Sequence, residues 1–103
     1  MGEARTVRVR YTTPALEDLD GILNYVATRS PQGAQKVKAR LRLLIGLLPA
    51  HPLMGARTDD PAIRRLIIAP FPYLLFYEVL DDEIIIHAIR HAARDPGSMP
   101  GLG

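Results

Sequence analysis

The chain has 103 residues, of which 48% are hydrophobic, and a formal net charge of +2. This length suits one compact domain, and the hydrophobic fraction is sufficient for a packed core. Because the sequence contains no cysteine, disulfides, thiol chemistry and thiolate metal sites are excluded. The first ten residues contain arginines without an apolar run behind them, and no apolar run is long enough to span a bilayer. We therefore expect a cytoplasmic protein that does not enter membranes.

The first half of the chain predicts a strand followed by two helices. Thr6–Tyr11 alternates polar and apolar residues, which is typical of a half-buried strand. Thr13-Pro14 and Ser30-Pro31 each have the form of an N-cap followed by proline at the first helical position. The predicted apolar stripes are Leu16, Leu19, Ile22, Leu23 and Val26 in the first helix, and Val37, Leu41, Leu44, Ile45 and Leu48 in the second. The short link favours an antiparallel helical hairpin.

The second helix also carries a group of basic residues. Lys36, Lys38, Arg40 and Arg42 have no acid among them, and we expect them on the side opposite the apolar stripe. A basic face of this kind suits phosphate or an acidic partner. The alternative is that these residues only solvate the outer face of an amphipathic helix.

The second half predicts a proline-rich loop over residues 49–61 and then three strands. The apolar runs of these strands cover residues 63–68, 73–80 and 84–89. Short turns between consecutive strands favour antiparallel pairing. The predicted order is β-α-α-β-β-β, an α+β fold with a helical hairpin packed on one face of a small antiparallel sheet. We expect a single domain over residues 1–96 and a flexible tail at 97–103.

The predicted sheet is apolar on both faces. Alternation in the strand over residues 73–80 separates two sets, Leu75, Tyr77 and Val79 on one face and Leu74, Phe76 and Leu80 on the other. Two helices can cover only one of these faces. A partner is therefore expected on the second face or at an edge of the sheet.

An ordered set of motifs resembles a known toxin family. The resemblance is carried by Ala15–Leu19, Ile22, Tyr25, Pro49, Pro52, Gly55, Arg65–Leu66, Pro72–Tyr73, Phe76–Val79, Ile86–His91 and Ala93–Pro96. It covers about residues 7–96 without a large insertion. On these motifs the chain is identified as a ParE-like member of the RelE/ParE superfamily.

The resemblance implies the toxin half of a type II toxin–antitoxin pair. In such families the C-terminal segment of a protein antitoxin wraps the toxin and lays a helix or strand against apolar surface or a sheet edge. A hetero-oligomer, for instance a heterotetramer, is implied. The candidates for antitoxin contact are Leu74, Leu75, Phe76, Tyr77, His87 and Ile89. A homodimer that buries the same surface is the alternative.

Members of the superfamily differ in their target. RelE-like toxins cut mRNA in the ribosome, whereas ParE-like toxins inhibit DNA gyrase and are not known as nucleases. Cleavage by the 2′-hydroxyl of RNA needs a base, an acid and cations for the phosphorane charge. A nuclease here would use Arg65, Tyr77 and His91, with Arg90 and Arg94 on phosphate.

Each nuclease candidate also has a structural interpretation. Tyr77 is typical of a core aromatic residue whose hydroxyl forms a hydrogen bond within the protein. Arg65 could pair with Glu78 or with the aspartate at position 95, and His91 could stabilise the chain end. By strand alternation, His91 is expected on the same face as His87 and opposite to Arg90, so that these groups do not all point into one site.

These considerations favour a gyrase-directed toxin without catalytic activity of its own. The only lysines lie on the second helix, and the ending His91, Arg94, Asp95 and Pro96 looks ParE-like. The basic helix face, the sheet or the chain end would contact gyrase. We expect no cofactor and no metal, since three scattered histidines without clustered acids do not form a ligand set. A ribosome-dependent mRNA endonuclease and a non-toxic binding module of the same fold are the alternatives.

Overall fold

A computed structural model describes residues 6–93 as two helices packed on a five-stranded mixed sheet. The elements are β1 Arg8–Tyr11, α1 Thr13–Arg29, α2 Pro31–Leu47, β2 Ala56–Arg57, β3 Arg64–Ile67, β4 Tyr73–Val79 and β5 Glu83–His91. The predicted element order is confirmed, and the two-residue strand β2 is an addition within the proline-rich loop. The predicted tail at 97–103 lies outside the described residues. Within residues 6–93, neither helix is long and apolar enough to cross a membrane.

The strands lie in the order β1-β5-β4-β3-β2. β2 to β5 pair antiparallel with their neighbours, as predicted. β1 pairs parallel with β5, with Arg8 opposite Glu83 and Tyr11 opposite Ile86. The prediction of a wholly antiparallel sheet is therefore wrong for β1. The first and last strands are joined through the helical hairpin and the other strands, and such a long connection permits parallel pairing.

Side-chain caps start both helices. The hydroxyl of Thr12 accepts a hydrogen bond of 3.1 Å from the N–H of Ala15, so the cap lies one residue before the predicted one. Ser30 caps α2 as predicted, and its hydroxyl accepts a 2.9 Å hydrogen bond from the N–H of Gly33. Because Ser30 also ends α1, the two helices follow each other with a single intervening residue, which fixes the hairpin.

The main core lies between the helices and one face of the sheet, the helix-facing side. The predicted stripe of α2 is confirmed, with Val37, Leu41, Ile45 and Leu48 buried and Leu44 partly buried. In α1 the prediction is wrong for one residue. Ala15 is fully buried, whereas Leu16 is 51% exposed, because Ala15 lies one turn before Leu19 on the helix face that packs against the core.

A β-bulge in β5 changes which side chains face the helices. Phe76 lies opposite Ala88 and Tyr77 opposite Ile86, which leaves His87 as the extra residue. Ile86 and Ile89 therefore both reach the main core. The predicted alternation is wrong beyond the bulge, since His87 lies on the opposite side of the sheet from Ile89.

The other side of the sheet, the second face, is less open than predicted. Leu74, Phe76 and Ala88 form a second buried cluster, and Ile63 and Ala92 pack against it. Phe76 is completely buried. The expectation that nothing in the chain covers this apolar face is therefore wrong for its central residues.

Candidate functional site

Tyr77 is a buried structural residue in this fold. Its side chain is completely buried on the helix-facing side. Its hydroxyl donates a hydrogen bond of 2.7 Å to the carbonyl of Pro52 and accepts one of 2.9 Å from the N–H of Gly55. Burial raises the pKa of the phenol, although the Gly55 hydrogen bond and the charge of Arg64 oppose this effect. Both functions of the hydroxyl are occupied, so it is not available as a base or acid.

Arg65 lies on the second face of the sheet, away from Tyr77. It pairs in register with Phe76 of the second cluster. Its Nε is buried, and no hydrogen-bond acceptor reaches it among residues 6–93. The predicted pairing with Glu78 does not occur, because Glu78 binds His87 instead. The aspartate at position 95 lies outside the described residues.

His91 ends β5 on the helix-facing side, opposite Tyr73. The two rings meet edge to face, with their centroids 5.5 Å apart. The Nδ1 atom of His91 accepts a hydrogen bond of 3.2 Å from the N–H of Ala93. This geometry agrees with the interpretation that the ring stabilises the chain end.

The three predicted nuclease residues do not converge on one site. Arg65 lies on the opposite face from Tyr77 and His91. Tyr77 and the strand partner of His91, Tyr73, are separated by four positions along β4, which is about 13 Å at the rise of an extended strand. A single scissile phosphate cannot contact all three side chains.

The structure instead brings together four charged or titratable groups that the sequence did not predict to lie close to one another. The Nε2 of His87 and the Oε1 of Glu78 are 2.9 Å apart on the second face, with side chains 35% and 28% exposed. Nearby, the Nε of Arg10 donates a 2.9 Å hydrogen bond to Glu83. The His87–Glu78 pair depends on the bulge, for which the sequence carries no clear signal.

The Arg10–Glu83 pair shifts the pKa values of both of its members. The hydrogen bond and charge of Glu83 raise the pKa of Arg10, and those of Arg10 lower the pKa of Glu83. The charge of Glu78 acts on Arg10 in the same direction as Glu83. No group of three or more histidine, aspartate or glutamate side chains within residues 6–93 could hold a metal ion.

The basic residues of α2 do not form one face. Lys36 and Arg40 share one side of the helix, and Lys38 and Arg42 share another, because residues four apart align in a helix and residues two apart do not. The Nε of Arg40 donates a 2.6 Å hydrogen bond to the carbonyl of Ala69, toward β3 and β4. Lys38 lies against α1. The prediction of a single basic face is therefore wrong.

Arg90 and Asp18 connect the end of β5 to α1. The Oδ2 atom of Asp18 accepts a hydrogen bond of 3.0 Å from the N–H of Ile89 and lies 3.8 Å from the Nε of Arg90. β1 pairs with β5 only as far as Ile86. Beyond that point the Asp18 carboxylate supplies the hydrogen-bond acceptor that a neighbouring strand would otherwise provide. The other chain-end cation predicted to bind phosphate, Arg94, lies outside the described residues.

A cleft of about 430 Å³ lies between α1 and the end of β5. Its lining includes Glu17, Asp18, Tyr25, Tyr73, Ile89 and His91. Acidic and aromatic groups therefore surround the end of the last strand. This cleft lies on the helix-facing side of β5, away from the Glu78–His87 pair.

Most of the predicted antitoxin contacts are buried within the chain itself. The exposed fraction does not exceed 7% for Leu74, Leu75, Phe76, Tyr77 and Ile89. Because both faces of β4 are packed, a partner cannot reach these side chains without rearrangement. Only His87 of the predicted set is partly exposed. The exposed large apolar side chains include Leu43, Leu47, Leu53, Met54 and Ile67.

The sequence and fold both match known toxins. Residues 9–96 match the family profile described as the ParE toxin of the type II toxin–antitoxin system, parDE. The chain belongs to the ParE toxin family. It is therefore a toxin of the type II toxin–antitoxin class, and its α+β fold is that of ParE/RelE-type toxins.

Two curated relatives of this ParE-family toxin cover most of its length. Toxin RelE2 of Caulobacter vibrioides is 38% identical over 87 residues, which are 84% of this chain and 97% of the relative. Putative toxin Y4kP of Sinorhizobium fredii is 32% identical over 85 residues, which are 82% of this chain and 88% of the relative.

Solved structures share the fold at lower identity. The chromosomal ParDE system from P. aeruginosa matches with a TM-score of 0.74 and 23% identity, covering 85% of this chain and 98% of that one. The E. coli DinJ-YafQ toxin–antitoxin complex matches with a TM-score of 0.59 and 17% identity, covering 85% and 94%. The matches thus include the ParE family profile and a relative named RelE2, which leaves the target to be proposed.

Proposed function

We propose that this toxin inhibits DNA gyrase, that it does not itself cleave nucleic acid, and that a protein antitoxin neutralises it in the cytoplasm. The ParE family match supports the gyrase target. The observation that carries the proposal is the dispersal of the predicted nuclease residues. The hydroxyl of Tyr77 is held by Pro52 and Gly55, and Arg65 lies on the opposite face of the sheet.

A supercoiling assay tests this proposal directly. Purified toxin in micromolar excess is added to gyrase and relaxed plasmid, and both supercoiled product and cleaved DNA are measured. We expect loss of supercoiling and accumulation of linear DNA, because the toxin would hold gyrase on cleaved DNA. Toxin preincubated with its antitoxin is the control, and it should leave supercoiling intact. Unchanged supercoiling with free, folded toxin would exclude the gyrase target.

A second candidate function is ribosome-dependent cleavage of mRNA, which the Glu78–His87 pair supports. A histidine bonded to a carboxylate can move a proton between the 2′-hydroxyl and the leaving oxygen. Arg10 lies beside this pair, and it would neutralise phosphate charge on exchanging its bond to Glu83 for one to the phosphate. One relative also carries the name RelE2.

The His87→Gln variant separates the two candidates. If the toxin cleaves mRNA, this variant should lose the breaks mapped within translated codons, whereas His51→Gln in the exposed loop should keep them. If the toxin acts on gyrase, neither variant produces such breaks and both inhibit supercoiling. Folding of each variant is checked by its urea midpoint.

The antitoxin is proposed to bind exposed apolar surface and to assemble with the toxin as a hetero-oligomer, with a heterotetramer as the expected form. The solved relatives include toxin–antitoxin complexes. Leu53 and Met54 are 63% and 37% exposed at one loop, and burying them would favour association. Replacing Leu53 by Asp should weaken the complex, and the mass of the purified complex gives its stoichiometry.

A further inference from the structure

Arg65 differs from the other half-buried arginines of the sheet. Arg64 donates a 2.8 Å hydrogen bond to the carbonyl of Gly55, and Arg90 lies 3.8 Å from Asp18. The buried Nε of Arg65 has no such acceptor within residues 6–93. A buried charged donor without an acceptor is unfavourable, so this group favours a ligand that supplies an oxygen.

The residues around Arg65 indicate the chemistry of such a ligand. Ile63 precedes β3 and Ile67 ends it, each two positions from Arg65, and Arg65 pairs with Phe76 on the neighbouring strand. Ile63 packs on the second cluster, whereas Ile67 is 57% exposed. An apolar surface formed by Ile63 and Ile67 therefore lies beside the guanidinium of Arg65. A ligand with one oxyanion and an adjacent apolar group matches both features.

The charges on the second face favour a single carboxylate over a nucleic acid. Arg10 is neutralised by Glu83, and Glu78 lies on the same face bound to His87. Nucleic-acid binding requires several cations along a phosphate chain, whereas the charge of Arg10 is already balanced by Glu83 and Glu78 adds negative charge on this face. One acidic side chain flanked by apolar residues needs only one guanidinium.

We propose that Arg65 is the receptor for an acidic side chain of the antitoxin, whose neighbouring apolar residue packs on Ile67. This inference rests on the antitoxin part of the proposed function and does not depend on the gyrase target. Arg65 is partly exposed, but its Nε is buried in the free chain. The carboxylate would therefore bind the guanidinium from the solvent side and accept the Nε–H once the side chain turns outward, which supplies the missing hydrogen-bond partner. The contact extends the antitoxin interface onto β3, beyond the apolar loop at Leu53 and Met54.

The first experiment observes the Nε–H of Arg65 by NMR without any antitoxin. The resonance is assigned by its loss in Arg65→Lys, and the probes are acetyl-Val-Glu-Val-amide, the same peptide with Gln, inorganic phosphate and a short RNA. We expect the glutamate peptide to shift the resonance and the glutamine peptide to leave it unchanged. A larger shift with phosphate or RNA at equal concentration would make this a phosphate site and overturn the proposal. No shift with any probe would also overturn it.

The second experiment uses the complete complex with the antitoxin encoded beside the toxin gene. Arg65→Gln should raise the dissociation constant about 10- to 100-fold, the usual effect of losing a hydrogen bond to a charged group. The exposed Arg57 on β2 provides the matched control, and Arg57→Gln should change it less than about threefold. Equal effects of both substitutions would refute a specific role for Arg65. Neither measurement uses gyrase, so failure of the gyrase target leaves the result interpretable.

Discussion

The hydroxyl of Tyr77 donates a hydrogen bond of 2.7 Å to the carbonyl of Pro52 and thereby attaches the proline-rich loop to the middle of the sheet. The N–H of Gly55 donates to the same oxygen at 2.9 Å. Arg64 lies opposite Tyr77 on the same face of the sheet, and it donates to the carbonyl of Gly55. Side chains of β3 and β4 therefore hold the loop after α2 against the sheet, while Leu53 and Met54 remain exposed.

Replacing Tyr77 by Phe should destabilise the fold without altering the target. The substitution leaves the Pro52 carbonyl and the Gly55 N–H without their partner, which costs about 1–3 kcal/mol for a buried pair. The free energy of unfolding in urea measures this loss. Supercoiling inhibition should persist at temperatures where the variant is folded. A stable variant that has lost all activity would instead indicate a chemical role for the hydroxyl.

The stability of the protein should fall at high pH through Tyr77. Burial raises the pKa of this phenol in the folded state above its ordinary value of about 10. The stability that the neutral phenol of Tyr77 contributes is therefore fully present below the pKa of the unfolded state. It is lost as the pH rises through the pKa of the folded state. Unfolding free energies should be level between about pH 7 and 9 and decline above about pH 10. The decline should be smaller in Tyr77→Phe, and equal slopes in both proteins would contradict this account.

Gly55 should not tolerate a side chain. A Cβ atom at this position would lie 2.7 Å from the Tyr77 hydroxyl and 2.9 Å from the carbonyl oxygen of Arg65. Gly55→Ala should therefore cost about 1–3 kcal/mol, as other overpacked sites do. At Gly46 in α2 nothing lies within 4 Å of the added Cβ, and Gly46→Ala should stabilise the helix by about 0.5–1 kcal/mol. Thermal unfolding of both variants gives the comparison, and similar effects at the two sites would contradict it.

Asp18 should stabilise the end of β5 through its hydrogen bond to Ile89. Replacing it by Ala leaves the part-buried Ile89 N–H without an acceptor, which should cost about 1–3 kcal/mol. Asp18→Asn keeps an oxygen in place and should cost less. Asp20 on the same helix is exposed, so Asp20→Ala serves as the control with a small effect. Amide exchange at Ile89 should accelerate in Asp18→Ala alone, and unchanged exchange would show that the bond contributes nothing.

The sequence predicts local structure well where the signal lies in neighbouring residues. The Ser30 cap and the α2 stripe from Val37 to Leu48 follow helical rules that need no tertiary information. The parallel pairing of β1 could not be predicted, since Arg8 and Glu83 are far apart in the sequence and no local pattern relates them.

The candidate site is less predictable from the sequence, because one extra residue in β5 changes the face of the sheet to which the following side chains point. The bulge at His87 brings this side chain beside Glu78, whereas strict alternation groups it with Ile89. By residue type alone Tyr77 is a catalytic candidate. Only the fold brings Pro52 and Gly55, which are distant from it in sequence, to its hydroxyl.

The most direct test of the central claim is induction of the toxin in cells without its antitoxin, with DNA damage and mRNA ends recorded in the same culture. A gyrase-directed toxin predicts growth arrest, double-strand breaks and the DNA-damage response, with no new mRNA ends within translated codons. The His87→Gln variant should give the same pattern as the native chain. Mapped mRNA breaks without DNA damage, lost in His87→Gln, would contradict the account and establish a ribosome-dependent nuclease.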